Sequence, residues 1–190
     1  MNDLKTRRDF LKAAAFTGCV WPMTRLTGKA QDECEDRLNK MRIRYQKGFA
    51  AERAQLFKKL VSKYGSGVLD IVQQNTIEDA RITLQQADLK KRDLDAVLEV
   101  LWKPSGGLLK YQIEQQSQEF LKLHVTECVF ADAMREYDAG DIGLAFYCAY
   151  DYGFCEGLNP DIQFTRTKTL MEGHGFCDHT YVLGKNSSLA

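Results

Sequence analysis

The chain carries no net charge, with 26 Lys and Arg against 26 Asp and Glu in 190 residues. That balance removes the field by which nucleic acid or an anionic membrane would be held. Its N-terminal apolar run, Ala13 to Met23, is far below the roughly 18 residues a membrane span needs, so no stable span is expected. No linker rich in Pro, Gly or Ser and no internal repeat divides the chain, which leaves one domain with a single core. No CxxC or HExxH spacing is present, so a zinc site would lack its usual sequence signature.

What is present begins at the N-terminus. Thr6-Arg7-Arg8-Asp9-Phe10-Leu11-Lys12, followed by the short apolar run, reads as a twin-arginine export signal. Gly28-Lys29-Ala30 places small residues where a signal peptidase reads, so residues 1–30 are expected to be the signal and 31–190 the mature domain. Cleavage before Cys19, with lipidation of that cysteine, is the alternative. The expected location is the periplasm, and the expected partner during transit is the twin-arginine translocase. The mature chain keeps Cys34, Cys128, Cys148, Cys155 and Cys177, an odd number. Twin-arginine export carries proteins folded in a reducing cytosol, so disulfides are not required.

Apolar spacing at Leu38, Met41, Tyr45, Phe49, Leu56, Leu60 and Tyr64 predicts one long helix from Asp32 to Tyr64, or two joined near Gly48. A second helix is expected over Gly67–Gln86 and a third, capped by Asp93, through Leu101, ended by Pro104. The period then changes: Leu109, Tyr111 and Ile113 alternate with polar residues, and Phe120–Val125 follows a Gln115-Gln116-Ser117 turn, which predicts a hairpin. Helices over Val129–Tyr137 and Ile142–Glu156 are expected next, then a second hairpin pairing Ile162–Leu170 with Phe176–Leu183. The order predicts an α+β fold: N-terminal helices, then an antiparallel sheet of two hairpins separated by a helix pair and covered on one face.

The chemistry gathers in the last third. Leu144, Cys148, Asp151 and Cys155 share one stripe of the predicted helix. Cys148 and Cys155 stand two turns apart, about 10 Å, too far to bridge. A carboxylate on such a stripe is costly to bury unless a cation meets it, so Asp151 is expected to be either functional or paired. On the predicted strand, Arg166 and Lys168 share a face with Ile162, Phe164 and Leu170, while Thr167 and Thr169 point the other way. Two cations in an apolar surface suit a small carboxylate ligand, with Arg166 as a bidentate fork. The alternative is a structural Arg166–Asp151 ion pair. On the partner strand Cys177 and His179 share a face opposite Asp178, and Cys177 beside the two cations is expected to be the most reactive thiol. His124 and His174 are expected to be bystanders.

Asn159-Pro160, Arg166-Thr167-Lys168-Thr169-Leu170-Met171-Glu172-Gly173 and Cys177-Asp178, preceded by a helix ending Asp151-Tyr152-Gly153-Phe154, resemble the signature of the L-2-amino-thiazoline-4-carboxylic acid hydrolase family. The resemblance is clearest from Cys128 to Leu183. It implies hydrolytic opening of a cyclic amidine bearing a carboxylate, a carbon–nitrogen cleavage outside peptides. His179 stands where the family tends to carry an aromatic and inherits no catalytic role.

The candidate catalytic groups are thus Cys177, Asp151 and Asp178, with Cys177 attacking the amidine carbon or Asp151 activating water. The candidate substrate-binding residues are Arg166, Lys168, Thr167, Thr169 and Cys148. No cofactor is required, although Cys148, Asp151, Cys155 and Cys177 would form a mixed thiolate and carboxylate set for zinc. The competing class is an exported binding or redox-accessory protein without catalysis.

Overall fold

The computed structural model describes residues 29–184. The export-signal motif therefore lies outside the described residues. The chain divides into two units, residues 1–42 and 43–190. Of the first, the described part is helical, the opening turns of helix α1 (Lys29–Tyr64), which continues unbroken into the second unit. Gly48 does not interrupt it.

Within the second unit, α1 turns a different face inward from the one its large apolar residues suggest. Ala50 and Ala54 are fully buried, with Phe57 and Val61 packed beside them, whereas Phe49, Leu56 and Tyr64 are exposed. Small alanines let the helix lie close to the body, and polar contacts fix it there. Arg53 donates from Nη1 to the Tyr147 hydroxyl at 3.1 Å and stacks over the Phe146 ring at 4.8 Å. Lys58 Nζ donates to the carbonyls of Tyr137 and Asp138.

Helix α2 (Gly67–Gln86) runs as predicted. Asp93 caps the short α3 (Leu94–Val97), its Oδ1 accepting from the Ala96 amide at 3.0 Å. A π-helical turn, Leu98–Trp102, and a 3-10 turn, Lys103–Ser105, which holds Pro104, extend it to Gly106. Strands β1 (Leu109–Gln116) and β2 (Phe120–Cys128) form the first hairpin.

Helix α4 (Val129–Arg135) and α5 (Gly140–Gly143) follow, then a π-helical turn, Leu144–Cys148, and α6 (Tyr150–Leu158). The predicted continuous helix over Ile142–Glu156 is therefore broken by a π turn, in which the Ala149 amide reaches the Leu144 carbonyl. That extra residue rotates Asp151 and Cys155 relative to Leu144, so the four-residue stripe read from the sequence is not a straight one.

Strand β3 (Ile162–Thr165) and β4 (Cys177–Leu183) complete an antiparallel sheet of order β1-β2-β4-β3. Burial alternates along β2 and β4. Leu121, Leu123 and Val125 face inward beside Tyr181, His179 and Cys177, to which they are paired in register. The helices cover this face, and the fold is the expected α+β arrangement.

β3 ends five residues earlier than the predicted strand, at Thr165 rather than Leu170. The Asp178 carboxylate, on β4, accepts from the Thr167 amide at 2.9 Å and the Lys168 amide at 2.6 Å, while the Leu170 amide donates to Cys177 Sγ at 3.1 Å. Side-chain acceptors thus take backbone donors that a longer strand would commit to its ladder. The chain then makes a 3-10 turn, Leu170–Glu172, closed by Gly173 in the left-handed region at φ 87°.

α6 reaches its position because of two glycines. A Cβ on Gly153 would collide with the backbone carbonyl of Ile77, and one on Gly157 with that of Arg81, so α2 and α6 touch backbone to backbone. Arg92 completes this joint by donating to the carbonyls of Leu84, Gly157, Leu158 and Ala87, at the C-terminal ends of both helices.

Candidate functional site

Three ionisable side chains from three elements meet beneath the sheet. Asp151 lies in the first turn of α6, Arg166 immediately follows β3, and His179 is central in β4. Arg166 Nη1 contacts Asp151 Oδ2 at 2.5 Å, and its Nη2 donates to the Cys148 carbonyl at 3.1 Å. His179 Nε2 lies 3.3 Å from Arg166 Nη1 and 3.4 Å from Asp151 Oδ2. The side chains of Arg166 and His179 are only 5% and 7% exposed.

Aromatic rings enclose the group. Trp102 meets His179 edge-on at 4.9 Å, Phe164 stacks on it at 5.7 Å, and the Arg166 guanidinium lies over Phe164 and Tyr152. The Trp102 indole donates to the buried Tyr181 hydroxyl, whose pKa burial pushes well up. Burial works against the Arg166 charge, but Asp151 and the neighbouring Cys148 and Tyr152 outweigh it and hold the guanidinium above its ordinary value.

Two polar atoms of this centre are buried without a hydrogen-bond partner: Arg166 Nε and His179 Nδ1. The His179 tautomer follows from its neighbours. Where Nε2 accepts from Arg166, the imidazole proton sits on Nδ1 and becomes a buried, unpartnered donor. Where Nε2 is protonated, it faces Asp151 instead. The ring therefore offers one nitrogen beside the Asp151 carboxylate and a second without a partner, an arrangement suited to moving a proton.

The other expected residues are placed as follows. Cys177 is buried on β4. Burial raises its pKa by more than the Leu170 amide and the Arg166 charge lower it, so the expectation of an activated thiol is corrected by desolvation. Burial likewise pushes Cys148 and Cys155 far up and Cys128 to about 11.

Asp178 points to the opposite face of the sheet, where it also accepts from the Thr167 hydroxyl at 2.5 Å. Burial opposes its charge, but the Thr167 hydroxyl and the Lys168 and Thr167 amides hold its carboxyl below its ordinary value. Lys168 Nζ lies 4.9 Å from the centroid of the Phe176 ring, away from any strand face shared with Arg166. Thr169 caps the 3-10 turn, donating to Glu172 Oε2 and accepting from the Glu172 amide.

The structure thus unites Asp151, Arg166 and the Cys148 backbone, and leaves Thr167, Asp178, Lys168 and Thr169 shaping the turn that follows Arg166. His179, to which the family resemblance lends no role, belongs to the buried centre, and its signal in the sequence is the strand face it shares with Cys177, the pattern of a nucleophile beside a base.

Both terminal nitrogens of Arg166 are engaged, so a bidentate fork is not presented to a ligand. Among the described residues no three His, Cys, Asp or Glu side chains converge as a metal set, and the cysteine and aspartate zinc set does not assemble. Cys128, Cys148, Cys155 and Cys177 are unbridged thiols. No described helix is long and apolar enough to cross a membrane.

Searches of curated proteins and of solved structures found no match. The family model for L-2-amino-thiazoline-4-carboxylic acid hydrolase matches residues 23–181, which takes in α1 and α2 as well as the Asp151–Arg166–His179 centre. With most of its length inside that match, the chain belongs to the L-2-amino-thiazoline-4-carboxylic acid hydrolase family.

Proposed function

We propose that this protein is a hydrolase that opens a cyclic amidine, or a related carbon–nitrogen bond, in a small carboxylate substrate. The observation that carries this reading is the pair of buried, unpartnered nitrogens, Arg166 Nε and His179 Nδ1, beside the Asp151 carboxylate. Such atoms are costly to bury bare, and a water or a substrate heteroatom at either would restore its hydrogen bond. Family membership supplies the reaction class.

In this reading a water held at the centre attacks the amidine carbon. As the carbon–oxygen bond forms, the water proton passes to Asp151 or His179. The tetrahedral adduct collapses when one carbon–nitrogen bond breaks, and the same proton is returned to the leaving nitrogen. Arg166 holds the Asp151 carboxylate in place through the Nη1–Oδ2 contact. The activated-water route is preferred to attack by Cys177 because burial raises the pKa of that thiol and so disfavours the thiolate.

The raised thiol pKa values also favour the competing reading, an exported small-ligand-binding or accessory protein without catalysis. Incubation with L-2-amino-thiazoline-4-carboxylate, followed by NMR of the substrate, separates the two. Turnover that drops by about a hundredfold or more in Asp151→Asn, with ligand binding retained, is expected for the hydrolase. Binding without turnover in the wild type would establish the accessory role instead. The twin-arginine motif at Arg7-Arg8 supports a further part of the proposal, export through the twin-arginine translocase to the periplasm.

A further inference from the structure

Of two clefts on the described surface, one, about 530 Å³, lies on the β1–β2 turn among Gln115, Gln116, Ser117 and Phe120, none of them ionisable. The other, about 440 Å³, opens between the end of β2, α4 and the Leu170–Gly175 turn, and Glu127, Cys128, Asp132, Arg135, Leu170 and His174 line it. Its volume falls in the range of small-molecule sites.

The charges in this second cleft are mixed. Glu127 pairs with Lys110 at 2.7 Å and Asp132 with Arg135 at 3.6 Å, all four side chains being more than half exposed. Exposed pairs of this kind contribute little, so a ligand bearing both charges can replace them at small cost. His174 is anchored through Nδ1 to the Thr169 backbone, which leaves Nε2 as its ligand-binding nitrogen.

Behind the cleft wall the Leu170 amide donates to Cys177 Sγ, and Cys177 faces inward on β4 two residues before His179.

We propose that this cleft docks a small molecule with an amidinium or ammonium at one end and a carboxylate at the other. Glu127 and Asp132 take the cation and Arg135 takes the carboxylate. The identification of that molecule as the hydrolase substrate rests on the function proposed above. The cleft supplies the carboxylate anchor that the engaged Arg166 does not.

Cys128 serves as a reporter within the cleft. The full chain is treated in parallel with 2-chloroacetamidine, a cation, and 2-chloroacetamide, its neutral counterpart, and alkylation of Cys128 is followed by peptide mass spectrometry. In both reactions the sulfur displaces chloride, the sulfur–carbon bond forming as the carbon–chlorine bond breaks, and the thiol proton goes to solvent.

The expected rate ratio, amidine over amide, is about tenfold above the same ratio on glutathione. It falls to the glutathione value in Glu127→Gln/Asp132→Asn, whose altered side chains are exposed and outside the core. L-2-amino-thiazoline-4-carboxylate slows Cys128 alkylation in the wild type but not in Arg135→Met. A wild-type ratio equal to that of glutathione, a ratio unchanged in the double variant, or a lack of protection by the carboxylate would each overturn the proposal. Alkylation requires no turnover, so failure of the hydrolase reading leaves this test intact. Turnover without any preference at Cys128 removes the cleft alone.

Discussion

Asp151 and Arg166 meet at 2.5 Å in a setting where the guanidinium is almost wholly out of solvent. Their attraction is strong there because little water screens it, but each has lost its hydration, so the pair stabilises mainly by what its breaking would expose. Arg166→Met is expected to cost about 3–5 kcal/mol, because it strands a buried carboxylate. Asp151→Asn should destabilise in the same direction by stranding the guanidinium. The double variant Asp151→Asn/Arg166→Met, which strands neither charge, should be more stable than Arg166→Met alone. Urea unfolding of the four proteins measures this, and additive losses would show that the two side chains are not coupled.

A second prediction concerns the seam between α2 and α6. Gly153→Ala raises helix propensity and adds one methyl, which on an exposed helix would stabilise by roughly 0.5–1 kcal/mol. Here that methyl meets the Ile77 carbonyl, a backbone atom that cannot swing aside. The seam must open, and the expected effect is a loss of about 1–3 kcal/mol or more. Gly48→Ala is the control, since nothing lies within 4 Å of its Cβ position. A Gly153→Ala protein that melts no lower than wild type would refute the close backbone contact.

Much of this architecture could be read from residue order. The alternation across Leu109–Val125, the Asp93 cap and the Gly67–Gln86 helix carry local signals that tertiary packing did not override. The π turn over Leu144–Cys148 could not be read, because a one-residue insertion in a helix has no composition of its own. The early end of β3 was hidden for another reason: Asp178 captures the Thr167 and Lys168 amides from another strand, a contact made only in space. At the buried centre, a carboxylate on an apolar stripe correctly demanded a cation, and Arg166 was named as one. His179 escaped because a histidine on a period-two face reads the same whether it is a bystander or sits 3.4 Å from a carboxylate.

The N-terminal motif gives a prediction independent of the fold. Twin-arginine recognition depends on the arginine pair, and lysine keeps the charge while losing the planar fork. Arg7→Lys/Arg8→Lys should therefore keep a tagged protein in the cytoplasm while the wild type reaches the periplasm. Cell fractionation reads the outcome directly. Undiminished export of the double-lysine variant would remove the twin-arginine assignment.

Asp178 predicts how stability depends on pH. Its carboxylate accepts from the Thr167 hydroxyl and amide and from the Lys168 amide, bonds that favour the charged form and hold its pKa below the ordinary carboxyl value of about 3.9 despite partial burial. A group whose folded pKa is depressed contributes stability above its unfolded pKa and loses it as the pH falls through the folded one. Asp178→Asn keeps the shape but removes the charge, so it should melt below wild type at neutral pH. The gap should close progressively on acidification below about pH 4. Melting temperatures of both proteins from about pH 7 down to pH 2 test this, with the turn after Arg166 as the segment at stake. Parallel curves over that window would mean that the Asp178 charge is not what holds the Thr167–Lys168 backbone out of the strand.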